Sequence, residues 1–330
     1  MKSGKYKKQL EKKSEKNIFE IRKPNILIPY PGPYWEDGSQ DIVIYLRPET
    51  NGVMVESTLL KVIRKNELYK KNIRIVYLAN LPGDFIIKNK IVERHYSVKL
   101  YFTVGGKDVF TPFMKRKFEE HFGIGFSSAF IMGAFEALDF FKLNYDELFN
   151  IWVPENDVLT INGQSIKKYR NVFIVNYDVP AILHKNSYKT DIAAMIFRST
   201  LNTGYFHSMI TEMAKACRIT GILDPLKPVE RVFHYSKSPY EQILDSIGYI
   251  YSLGSEHIEY KDISFFNYLL FKGLNENDVL NIINHPIMHF KDNLSVTEEN
   301  IFLYTTDMSY SEAYSCLSAV VSQPYLTYRR

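Results

Sequence analysis

The chain has 330 residues, 45% hydrophobic and 24% charged, which excludes wholesale disorder, a collagen-like repeat and a disulfide scaffold. A chain of this length predicts about two domains with cores large enough to need neither disulfides nor metals. The net charge of +4 is uneven: residues 1–23 hold nine Lys and Arg against three Glu, and the rest hold 32 against 34, so the folded body shows none of the basic excess of a nucleic-acid-binding face.

Residues 1–23 read as a basic flexible arm that buries little. Any polyanion binding is expected there, weak and salt-dependent. Residues 24–222 read as an α/β domain, and residues 223–330 as a smaller, mostly helical C-terminal region. No apolar run approaches the ~20 residues that span a bilayer, and no apolar signal core follows the basic start. Cys217 and Cys316 lack metal-ligand spacing and read as buried free thiols. A soluble cytoplasmic protein is expected, and the wealth of Lys, Asn, Ile, Tyr and Phe fits an AT-rich bacterial source.

In chain order, Pro29–Trp35 is too proline-dense for a helix or central strand and reads as an aromatic loop lying on the body. Asp41–Leu46 is a strand and Val53–Asn66 a helix, with apolar residues at 55, 59, 62 and 63. Ile73–Leu78 is the next strand, and together the three make a βαβ signature that predicts parallel pairing. Val98–Thr103 alternates like a strand. A helix starts at Thr111-Pro112, with proline at its first position. Ser127–Phe141 and Tyr145–Ile151 look helical. Asn162-Gly163 predicts a type I′ hairpin between Val158–Ile161 and Gln164–Lys168. Val172–Val175 suits a buried strand. Asp191–Arg218 carries the strongest helical stripe, and Thr220–Pro228 breaks it. Ser238-Pro239-Tyr240-Glu241 is a capping box opening a helix. Ser264–Phe271 and Glu276–Asn284 are short helices, Asn300–Thr305 a strand and Ser311–Ser322 a last helix. The predicted fold is α/β: a mixed, partly parallel sheet flanked by helices.

Chemistry-bearing motifs are sparse. There is no phosphate loop of the G-x-G-x-x-G or G-x-x-x-x-G-K-[ST] kind and no G-x-S-x-G elbow. His285 and His289 have a helical ligand spacing, but Pro286 between them disfavours the helix. The other six histidines are scattered, so no metal site is expected. Tyr45–Gly52 resembles, over a short stretch, the LRPET loop of class II glycyl-tRNA synthetases. The ATP-holding motifs of those enzymes are missing, since Phe197-Arg198 runs into Ser199-Thr200 and no glycine-rich motif follows. What remains is positional. Arg47 and Glu49 follow the first strand, Asp84 the second, and Asp178 the strand Val172–Val175. Ligands of open α/β sheets bind beyond the carboxyl ends of parallel strands. If both later strands lie in one parallel sheet, Asp84 and Asp178 leave the same edge, where they could hold Mg²⁺ with Arg47 on a phosphate. Two functions are therefore carried: a binding or regulatory protein, with room for a protein partner, and a Mg-dependent nucleotide-binding or phosphoryl-transfer enzyme using Asp84 and Asp178, with Arg47 and Glu49 at the ligand.

Overall fold

The computed structural model describes residues 21–185, 187–292 and 295–324. The arm up to residue 20 lies outside the described residues. At its end, Arg22 is held in exposed ion pairs with Asp84 (2.9 Å) and Asp191 (3.0 Å).

The fold is α/β, with three mixed or antiparallel sheets among helices. The largest sheet has five strands: β1 (Asn25–Ile28), β3 (Ile73–Leu81), β8 (Ile192–Ser199), β2 (Gln40–Leu46) and β9 (Phe233–Tyr235), in that spatial order. All its pairings are antiparallel. β2 and β3 point the same way, as the βαβ pattern implies, but β8 runs between them. The parallel pairing expected from sequence is thus replaced by two antiparallel pairings to a strand arriving more than a hundred residues later.

Both faces of this sheet are covered. On one lie Ile42, Ile44, Leu46, Met195 and Phe197, under the helices Val53–Lys65 and Thr203–Ile219. On the other lie Val43, Tyr45, Tyr77, Ala194 and Ile196. Every residue of β8 is buried. A strand buried on both faces loses its period-two alternation, so the stretch Asp191–Arg218, read as helical with a break allowed at Gly204, is in fact β8, a turn and a helix. The helix Val53–Lys65 and the strand start at Ile73 agree with the expected elements.

The second sheet contains the parallel pair. β4 (Ile131–Gly133) runs parallel to β7 (Val172–Val175), followed by β6 (Gln164–Tyr169) and β5 (Val158–Ile161). The Asn162-Gly163 hairpin forms as expected, with φ of 50° and 77°. Two readings are corrected here. Val98–Thr103 belongs to a helix, Ser97–Gly105, with Phe102 in the core. Ser127–Phe141 is helical only from Ala134, because Ile131–Gly133 completes the sheet.

The third sheet joins β10 (Ile287–Asp292) to β11 (Ser295–Asn300) and β12 (Val320–Ser322). Asn300 ends β11 and caps the short helix Ile301–Tyr304, its side-chain oxygen accepting the Phe302 N–H at 2.9 Å; the strand expected over Asn300–Thr305 is thus displaced. The last predicted helix is shorter, Tyr310–Ser315, and gives way to a 3₁₀ turn and β12. Ser238 caps the helix Pro239–Tyr249 by accepting the Glu241 N–H, while the Glu241 carboxylate accepts from Lys237 rather than from Ser238. The proline-rich loop lies on the body, its Trp35 indole donating to Asn267 (3.0 Å). Cys217 is buried and Cys316 half-buried, and both are free. Among the described residues no helix is long and apolar enough to cross a membrane.

One interior lysine gives a pH signature. Lys167 of β6 donates to the Ile151 carbonyl (2.7 Å) and lies 3.6 Å over the Tyr177 ring. Burial pushes its ammonium down to about 8, against the opposing pull of Asp178. An unfolded lysine titrates near ~10.4. Between these values the unfolded chain holds more protons, so this group's contribution to stability rises with pH over that window. Urea midpoints from pH 7 to 10 should therefore shift in favour of the wild type relative to Lys167→Met. A pH-independent difference contradicts this.

Candidate functional site

The four residues singled out by sequence divide. Asp84 opens the helix Gly83–Lys88 directly after β3. Burial acts to raise its carboxyl, but hydrogen bonds from Arg22 hold it below the usual range. Asp178 follows β7 and accepts from Lys99 (2.9 Å) and Ser165 (3.2 Å). The two carboxylates follow strands of different sheets, so the condition for a shared edge is not met: the intervening chain builds the second sheet around β7 instead of extending the first.

Arg47, Glu49 and Asp178 do line one pocket, of about 220 Å³, together with Lys185 and Arg231. Arg47 donates to the Glu230 carbonyl (3.0 Å) and stands 5.5 Å from the Tyr45 ring centre. Glu49 meets the Lys185 ammonium at 2.6 Å. Burial alone would raise its carboxyl, and Lys185 brings it below its ordinary value.

Behind this pocket lies a cluster that no sequence motif announced. His95 ends the short helix Ile91–His95, His234 is the middle residue of β9, and Asp245 lies within the helix Pro239–Tyr249. Helical spacing puts Glu241, Asp245 and Tyr249 on one face. Strand register puts His234 opposite Tyr45, and their rings stack at 4.6 Å. Tyr249 stacks on the other side of Tyr45 at 4.1 Å. His234 Nε2 is 2.9 Å from Asp245 Oδ2 and 3.9 Å from Glu241 Oε1. His95 Nδ1 is 3.5 Å from Asp245 Oδ1, and its Nε2 is 3.5 Å from the Tyr45 hydroxyl.

The electrostatics follow from burial. It pushes the His95 imidazole well below its usual value and His234 to about 4, and it lifts the Asp245 carboxyl well above the ordinary range. The cluster therefore favours two neutral rings and a carboxyl that resists ionisation. Two of its atoms, His95 Nδ1 and Asp245 Oδ1, have no hydrogen-bond partner among the described residues, an exception among buried polar atoms.

His95 also reaches two larger cavities, of about 630 and 490 Å³. Their walls share Arg94, His95, Leu244, Ile247 and Tyr260. The histidine pair weighed from sequence goes elsewhere. His285 follows the helix Glu276–Asn284, and His289 sits in β10 between Ser322 (2.8 Å) and Glu298 (3.0 Å). The acidic pair Glu241 and Asp245 was a visible signal at helical spacing, but solvated helix faces carry the same spacing, and only the fold brings two distant histidines onto it. Against known proteins, no family model, no curated protein and no solved structure matches this chain.

Proposed function

We propose that the chain is a small-molecule-binding protein of the binding or regulatory class, with its ligand held in the adjacent cavities beside His95. The observation that carries this reading is that two adjacent cavities, each within the ~300–1,000 Å³ range of ligand pockets, meet at a buried histidine backed by a carboxyl. Their shared wall is apolar at Leu244 and Ile247 and polar at Arg94 and His95, the combination that buries a ligand body while fixing one polar end. The free thiols support a reducing, cytoplasmic setting. The test is thermal unfolding against a metabolite panel, on the wild type and on Leu244→Trp, whose indole intrudes on the shared wall. A true ligand at a hundredfold its Kd adds about 2.7 kcal/mol to the wild type and much less to the variant. Equal shifts in both would place binding elsewhere.

The second reading is the enzyme of nucleotide or phosphoryl chemistry, favoured by Arg47, Glu49 and Asp178 sharing one pocket. Two facts weigh against it. Glu49 and Asp178 are each already paired with a lysine, which competes with Mg²⁺, and about 220 Å³ suits a phosphate group better than a nucleotide. Stabilisation by a nucleotide with Mg²⁺, lost in Asp178→Asn, would restore it.

A further inference from the structure

We propose that His95, His234 and Asp245 hold one divalent transition-metal ion of the zinc class. Each residue offers one ligand atom, and the three atoms lie within 4.8 Å of one another. A metal–ligand bond of ~2.0–2.1 Å places neighbouring donors roughly 2.9–3.4 Å apart, from octahedral to tetrahedral angles. The two contacts to Asp245, Oδ2 at 2.9 Å from His234 and Oδ1 at 3.5 Å from His95, stand at or just beyond that spacing, one on each carboxylate oxygen. The two imidazole nitrogens, within 4.8 Å of each other, must come to ~3.4 Å in a tetrahedral site, a closure of up to about 1.4 Å.

Three features point to a cation rather than to a packed polar core. The first is the pair of orphan atoms: His95 Nδ1 and Asp245 Oδ1 face each other without a partner, and both are fully enclosed. An ion between them satisfies both at once. The second is the outer support. The Tyr45 hydroxyl approaches His95 Nε2, the ring nitrogen away from Asp245, and the Tyr45 ring lies flat on His234, so one tyrosine orients both imidazoles, as outer partners do around metal ligands. Glu241, 3.9 Å from His234, is the nearest further carboxylate. The third is access. His95 lines the two large cavities, so the enclosed cluster lies one side chain from open space that an ion can enter. Two imidazole nitrogens with one carboxylate favour zinc, iron, nickel or copper over magnesium or calcium. The inference stands apart from the small-molecule reading, since its readout is the metal alone.

The experiment uses the full chain stripped with a chelator, with Co²⁺ as the spectroscopic probe and Zn²⁺ as its competitor. One Co²⁺ per chain should bind with a visible ligand-field spectrum, which Zn²⁺ abolishes and Mg²⁺ does not. His234→Gln and Asp245→Asn should weaken binding by more than about 100-fold, and Tyr45→Phe by about 10-fold, the lower end of the effect of outer partners. His289→Gln, in the third sheet, should leave it unchanged. Circular dichroism in chelator checks that the variants fold. If a cluster variant does not fold, X-ray absorption of the cobalt-loaded wild type decides instead, by showing two imidazoles on the metal. No cobalt spectrum in the wild type, binding that survives Asp245→Asn, or absorption without imidazole scattering would each overturn the proposal.

Discussion

Arg198→Met should lower stability by about 3–5 kcal/mol, the usual cost of stranding one member of a buried ion pair. Asp41 and Arg198 face each other across β2 and β8. Arg198 Nε donates to Asp41 Oδ1 at 2.7 Å, and a terminal nitrogen donates to Oδ2 at 2.9 Å. The carboxylate, fully buried, also accepts from Ser264 (2.6 Å) and Tyr30 (2.8 Å). Arg198 further donates to the Gly32 carbonyl. Four segments thus meet on one charge pair: two central strands, the proline-rich loop and the helix Ser264–Phe271. Removing the guanidinium leaves a desolvated carboxylate with only neutral donors. Removing both charges is different, because an apolar pair of similar volume is often neutral or stabilising. The Asp41→Leu/Arg198→Met double variant should therefore be more stable than Arg198→Met alone. Denaturant midpoints with unchanged slope measure this. A single-variant loss below about 1 kcal/mol, or simple additivity, would show that the pair is not the anchor its geometry indicates.

The same strands show what was legible in the sequence. Signals that act within a few residues were readable. Asn162-Gly163 makes its turn because its two residues tolerate positive φ, and Thr111 caps its helix because its side chain reaches the Met114 N–H. Signals that depend on distant chain were not. β8 looks helical because its apolar residues face two cores at once. Asp84 and Asp178 looked alike because each follows an apolar strand, yet the sheets differ, and strand order is set by packing over long separations. The His95–Asp245–His234 cluster was hidden for the same reason. Its members arrive from a short helix, an edge strand and a buried helix, and each alone is an ordinary polar residue. Arg47, Glu49 and Asp178 did converge on one pocket, but from the end of β2 in the first sheet and the end of β7 in the second rather than along one sheet edge.

Gly133→Ala should cost about 3 kcal/mol, at the upper end of the overpacking range. The backbone there is unexceptional, with φ of −75° and ψ of 160°, so conformational strain gives no reason to avoid alanine, and the sequence Met-Gly-Ala carries no warning. The obstacle is a neighbour. A Cβ on Gly133 would lie 1.7 Å from the Thr103 carbonyl oxygen and 2.8 Å from its carbon. These are backbone atoms of the helix Ser97–Gly105, which cannot swing aside as a side-chain end can. Either β4 leaves β7, where Gly133 pairs with Val175, or the helix lifts away, taking Phe102 out of its cluster. The second route also moves Lys99, which holds Asp178 at the small pocket. Gly123→Ala supplies the contrast. Its φ is 66°, but nothing lies within 4 Å of the added carbon, so only the left-handed backbone is penalised, by roughly 1–2 kcal/mol. Chemical denaturation of both variants should place Gly133→Ala below Gly123→Ala. The reverse order would mean that the close approach of β4 to the helix is not a fixed feature of the fold.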